Sequence, residues 1–95
     1  MKVTTVLYED LEPGSVPGFV MRVHAIGTGF RYRAAPLLAR VGAQPLEQIF
    51  IAPDGTGFSG FLAQPPGAED RLFVRYMDEP EIEVREEDLE PPLFA

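Results

Sequence analysis

One histidine, His24, and two serines, Ser15 and Ser59, are all the chain offers for serine–histidine nucleophilic chemistry. Such a triad needs the histidine exposed with a serine beside it. His24 stands mid-way along an alternating apolar stretch, and we read it as an ordinary sheet-face histidine. Carboxylate pairs perform acid–base chemistry only when an apolar pocket raises the pKa of one of them. The acids of this chain fall in turns and on an edge hairpin, where water keeps them ionised, so no enzymatic activity is expected. Two acidic groups, Glu9, Asp10 and Glu12 and then Asp78, Glu79 and Glu81, carry the oxygen ligands that calcium takes. Neither has the fixed ligand spacing of a calcium loop, and both are read as solvated loop acids. Without cysteine there are no disulfides and no thiolate metal sites. No metal and no cofactor is expected.

Arg31-Tyr32-Arg33, with Arg22 near on the preceding strand, is the one arrangement suited to phosphate and base, since arginine grips phosphate and an aromatic ring stacks. Affinity for nucleic acid grows with the number of phosphates neutralised, and a net charge of −7 leaves these few bases a weak footprint. The charge is also unevenly placed. From Asp78 onward Arg85 is the sole base among Asp78, Glu79, Glu81, Glu83, Glu86, Glu87, Asp88 and Glu90, whereas residues 1–77 are neutral. An acidic end of this kind argues against nucleic acid and against an anionic membrane surface. No apolar run approaches the roughly 18 residues of a membrane span, and acids follow Leu7 where a signal peptide would stay hydrophobic. The expected location is the cytoplasm.

The elements that position these groups are short strands. Ninety-five residues allow one modest core. In the stretch Phe19 to Phe30, Phe19, Met21, Val23 and Ala25 fall on one strand face and Val20, Arg22, His24 and Ile26 on the other. Gly27-Thr28-Gly29 ends that strand, and Phe30 re-enters the interior. Val3 to Tyr8 reads as an edge strand before a proline- and glycine-rich loop, Glu12 to Gly18. Pro36 to Val41 is helix-like at its ends, yet it is too short for a stable helix and alternates as a strand does. Leu46 to Ala52 follows as a strand with Ile49 and Ile51 opposite Leu46, Gln48 and Phe50. Phe58 to Ala63 comes after the Pro53-to-Gly57 turn. Leu72 to Met77 then pairs with Glu81 to Arg85 across Asp78-Glu79-Pro80, the tightest hairpin expected, with Ile82 and Val84 inward. Six or seven short strands with regular turn signals predict an all-β, immunoglobulin-like antiparallel β-sandwich over residues 1–85, with 86–95 an acidic tail.

These residues resemble the IPT or TIG domain, the immunoglobulin-like fold shared by plexins and Rel-type transcription factors. Pro13, Gly14, Pro17 and Gly18 stand for that family's loop, Gly27-Thr28-Gly29-Phe30 for its strand ending in Gly-x-x-Phe, Val41-Gly42-Ala43 for the next strand's exit, and Pro65-Pro66-Gly67 with Leu72 to Tyr76 for its final proline and strand. The chain departs from the pattern where Pro17-Gly18 replaces paired glycines and where the acidic tail continues. The resemblance implies a fold that hosts adhesion, dimerisation, DNA-binding and glycan-associated roles, and the fold does not choose among them.

Protein binding is the function expected, with another protein or a second copy of the chain as partner. Apolar residues lie on both faces of Phe19 to Ile26 and of Leu46 to Ala52, which means either an exposed apolar patch or a barrel that buries both faces. The interaction surface expected comprises Arg31, Tyr32, Arg33, Ile49, Phe50, Leu93 and Phe94. A homodimer is the default assembly, with the strand of Ile49 and Phe50 the first suspect. Leu93 and Phe94 are expected to dock in an apolar groove, with Glu86, Glu87 and Asp88 near Arg31 and Arg33. Carbohydrate binding is the alternative, because Tyr8, Tyr32 and Tyr76 are suited to stack on sugar rings if at least two lie side by side on an exposed face.

Overall fold

Two-residue alternation selects strands over helices in this chain. The computed structural model, which describes residues 1–85 and Leu89, holds only strands and loops among them. The strands are β1 (Lys2–Asp10), β2 (Met21–Thr28), β3 (Leu37–Val41), β4 (Gln44–Pro45), β5 (Glu47–Ile51), β6 (Gly57–Leu62), β7 (Leu72–Tyr76) and β8 (Ile82–Glu83). They form two antiparallel sheets, ordered β1-β2-β6-β5 and β4-β3-β7-β8. Lettered in chain order with β4 as an extra C′ strand, this is ABED against C′CFG, the immunoglobulin-like sandwich. The count rises from six or seven strands to eight because the two residues of β4 join the second sheet before the chain crosses to the first.

The inner faces supply the core. Val23, Ala25, Phe58 and Leu62 from one sheet meet Leu37, Val41, Leu72, Val74 and Tyr76 from the other, all buried. Phe30 follows Gly29, whose φ of 83° turns the chain inward, and its ring meets Phe58 edge-on at 5.2 Å between centroids. Gly27 is a close-approach position, since a side chain there would collide with the carbonyl of Lys2 on β1. The Tyr76 hydroxyl accepts from the Arg31 N–H and donates to the Arg31 carbonyl, both at 2.8 Å, which ties the loop after Phe30 to β7.

Several local expectations fail for identifiable reasons. β2 begins only at Met21 and runs on to Thr28, so Phe19 leaves the inner face and stacks on Phe61 with centroids 5.2 Å apart. Leu46 and Ile51 were expected on opposite faces, yet both are buried. An extra residue between Glu47 and Phe50, with Gln48 at φ 53°, forms a bulge that reverses the alternation. Ile82 does lie opposite Val74 on the inner side, but two-residue β8 leaves it 44% exposed. The tightest hairpin is β3–β4, in which Val41 and Gln44 pair across Gly42 and Ala43 alone.

Charge closes the outer face of the second sheet. The Arg40 guanidinium lies 3.9 Å from the centroid of Phe73 and donates to both oxygens of Glu81, at 3.1 and 2.7 Å. Arg71 pairs with Glu83 at 3.2 Å on the same face, whereas Arg33, 4.5 Å from the ring centroid of inward-facing Tyr76, pairs with Asp78 and Glu79 beyond the end of β7.

Two predictions follow from this packing. Phe30→Ala removes a ring only 1% exposed and should destabilise the fold by about 3–5 kcal/mol in denaturant unfolding; a change under about 1 kcal/mol would refute its place in the core. Hydrogen bonds hold two carboxylates below their ordinary pKa, chiefly that from Arg40 for Glu81 and those from Thr56 for Asp54. A carboxylate with a depressed folded pKa stabilises the fold fully above its unfolded value of about 4, and that contribution is lost as pH falls through the folded value. Glu81→Gln combined with Asp54→Asn should therefore flatten the acid limb of a melting-temperature profile below about pH 4. An unchanged limb would assign the acid sensitivity to other groups.

Candidate binding face

Residues directly opposite one another on antiparallel strands point to the same side. The register of the first sheet therefore sets Leu7, His24, Ser59 and Phe50 in one row across all four strands, on the outer face. Thr5, Ile26 and Gly57 form the next row on one side, and Glu9, Arg22, Phe61 and Glu47 the row on the other. Burial of Val23, Ala25 and Phe58 inside forces these neighbours outward. Leu7, Ile26 and Phe50 are 52%, 43% and 58% exposed, and Gly57, with no side chain, leaves a shallow depression among them. Arg22 ends the patch with its guanidinium 4.8 Å from the centroid of Phe61. The face thus combines an apolar centre with a rim of opposite charges.

The sequence does not reveal that three groups of a hydrolytic triad meet on this face. His24 Nε2 lies 3.0 Å from Glu9 Oε1, and Ser59 sits across from His24 in register. No hydrogen bond joins Ser59 to His24 among the described residues. Ser59 belongs to β6, between β2 and β5, so the surrounding amides are engaged in two ladders rather than gathered into an oxyanion hole. Long-range register brought these groups together, and only the pairing of β1, β2 and β6 could have shown it.

Arg31, Tyr32 and Arg33 do form an exposed loop, but its parts are committed separately. Arg33 is held by Asp78, Glu79 and Tyr76, and the Tyr32 hydroxyl accepts from the Ile51 N–H at 3.2 Å. Arg22 is not near this loop: it stands at the start of β2, roughly 20 Å of extended strand from the loop that follows its end. Of the β5 pair, Phe50 is on the face, whereas Ile49 is partly buried against the core. The edge of β5, the first suspect for pairing, carries the Gln48 bulge and the Tyr32 hydroxyl. Tyr76 is 3% exposed and unavailable for stacking on a sugar, and Tyr8 and Tyr32 lie at opposite edges of the first sheet. Leu93 and Phe94, like Glu86, Glu87 and Asp88, lie outside the described residues. Leu89 is described and packs, partly buried, against the core.

Among the described residues no group of three or more acids or histidines is placed to hold a metal ion, and no helix is long and apolar enough to cross a membrane. The acids that suggested calcium at Asp78, Glu79 and Glu81 are paired with Arg33 and Arg40 instead. No family model, curated protein or solved structure matches the chain.

Proposed function

We propose that this chain is a non-catalytic protein-binding module of the IPT/TIG kind, and that the outer face of β1-β2-β6-β5 is its contact surface. The observation that carries the reading is the row Leu7, His24, Ser59 and Phe50 with Ile26 beside it, three large apolar side chains left open on one flat face. Such an apolar centre with a polar rim is the composition of a protein interface. The opposite sheet supplies the contrast, since the Arg40–Glu81 pair covers the ring of Phe73 on its outer face. The immunoglobulin-like strand order and Phe30 after Gly29 support the family reading, while the protein-binding role rests on the face alone.

Carbohydrate binding is the second reading. One observation favours it: Tyr32, bonded to the Ile51 N–H, places an exposed aromatic next to the strand that carries exposed Phe50.

The test compares Phe50→Asp with Leu38→Asp, which puts the same charge on the outer face of the second sheet. Each tagged chain is used to recover partners from the native cells, with quantitative mass spectrometry. A protein retained by wild type and Leu38→Asp but depleted about tenfold or more by Phe50→Asp is the expected result. Equal recovery by both variants would remove the face as the contact surface. Retardation of wild type but not Phe50→Asp in a glucan-containing native gel would favour the sugar reading instead.

A further inference from the structure

A sheet edge presents unpaired N–H and C=O groups, and folded proteins blunt such edges by shortness, proline, bulges or covering side chains. β4 has two residues and ends in Pro45, β8 has two residues, and β5 carries the Gln48 bulge and the Tyr32 hydroxyl on its Ile51 N–H. The remaining edge, β1, is nine residues long and contains no proline. The Gly27 N–H of β2 bonds to Thr56, on the β6 side, so Ile26, His24 and Arg22 turn theirs toward Thr5, Leu7 and Glu9 of β1. Val6, Tyr8 and Asp10 consequently direct their N–H and C=O groups away from the sheet, and all three lie past the bulge between Val3 and Thr5.

β1 and β8 end their sheets on the same side of the sandwich, where Val3 and Val84 share one depression and Val6 and Val84 a larger cleft. Val6, Tyr8 and Asp10 stand opposite Ala25, Val23 and Met21, so their side chains point to this inner side. Val6, Leu72 and Val84 give the cleft its apolar part, and Tyr8, Glu69 and Asp70 its polar part. Burial and the neighbouring Asp70 carboxylate both raise the pKa of the Tyr8 hydroxyl, so a negative potential reaches the strand edge. Asp10, Glu69 and Asp70 have no ion-pair partner among the described residues, whereas Glu81 and Glu83 of the second sheet are held by Arg40 and Arg71.

We propose that this edge takes up an extended basic segment of a partner protein as an added antiparallel strand, with lysine or arginine at the alternate positions that face the cleft. Partner residues opposite Val6, Tyr8 and Asp10 share their inner side, and the residues between extend the outer row that begins at Leu7. A lysine or arginine stem covers the apolar part of the cleft while its charged head reaches Glu69, Asp70 or Asp10. Main-chain bonds supply affinity and the alternate side chains specificity. The chain's own segments fit poorly. Past Leu89 it continues Glu90-Pro91-Pro92, whose prolines have no N–H to give, and β1 of a second copy brings Glu9 and Asp10 with a single lysine. The inference goes beyond the binding face, because the edge is a different surface.

The probe is the peptide Lys-Val-Lys-Val-Lys-Val, blocked at both ends, titrated into the full chain and followed by calorimetry and amide exchange. Binding should slow exchange at Val6 and Tyr8 and leave Leu7, already bonded to His24, unchanged. Replacing the lysines by glutamate, or methylating the lysine amides, should each weaken binding about tenfold or more, through like-charge contact and through loss of the N–H groups aimed at β1. Methylating the valine amides, which point away from β1, should keep affinity within about threefold. Glu69→Gln with Asp70→Asn, which retains an acceptor for the Gly67 N–H, should also weaken binding about tenfold. Phe50→Asp should leave binding unchanged, which separates failure of the edge from failure of the face. A peptide that does not bind, or that loses affinity on methylation of its valines rather than its lysines, would overturn the proposal. Slow exchange at Val6 and Tyr8 without peptide would do the same, assigning the edge to the chain's own C-terminal residues if seen in dilute protein and to a second copy if seen only in concentrated protein.

Discussion

Packing of two inner sheet faces around Phe30 is the constraint on which the rest of this molecule depends. Each strand has a fixed two-residue period, so placing Val23, Ala25, Phe58 and Val74 inside dictates what stands outside. On β2 that means His24 and Ile26 face solvent, and on β6 it means Ser59 and Phe61 do. Phe30 adds a constraint of its own. It enters the core from a loop rather than a strand, and this is possible because Gly29 adopts a positive φ that a larger residue resists. The loop it leaves is then fastened by the Tyr76 hydroxyl, so the residues that close the core also set the position of Arg31, Tyr32 and Arg33.

The uneven charge acquires a structural meaning once the sheets are assigned. Asp78, Glu79, Glu81 and Glu83 all lie at or beside β7 and β8, and each meets an arginine. Exposed pairs of this kind contribute little stability one by one. Their larger effect is on surface character, since the Arg40 guanidinium, 3.9 Å from the centroid of outward-facing Phe73 and paired with Glu81, puts charge over that ring on the outer face. The first sheet has no equivalent coverage at Leu7, Ile26 and Phe50. A charge of −7 over the whole chain therefore coexists with one face on which apolar contact is still open.

Fold class was legible because it depends on local period. Alternation in Met21 to Ile26 and Leu37 to Val41 gave both the strands and their inward phase, and Gly29 followed by Phe30 gave the return to the core. What stayed hidden depends on pairing across the chain. The bulge at Gln48 reverses the face of Leu46, and Gly60 on β6 makes room for Leu46, neither of which is encoded by alternation within β5. Partnership of Arg33 with Asp78 and Glu79, or of Glu9 with His24, joins residues far apart in sequence. The candidate face was legible by half for the same reason. Phe50 was singled out from its own strand, while Leu7, His24, Ile26 and Ser59 become one surface only when three strand registers are combined.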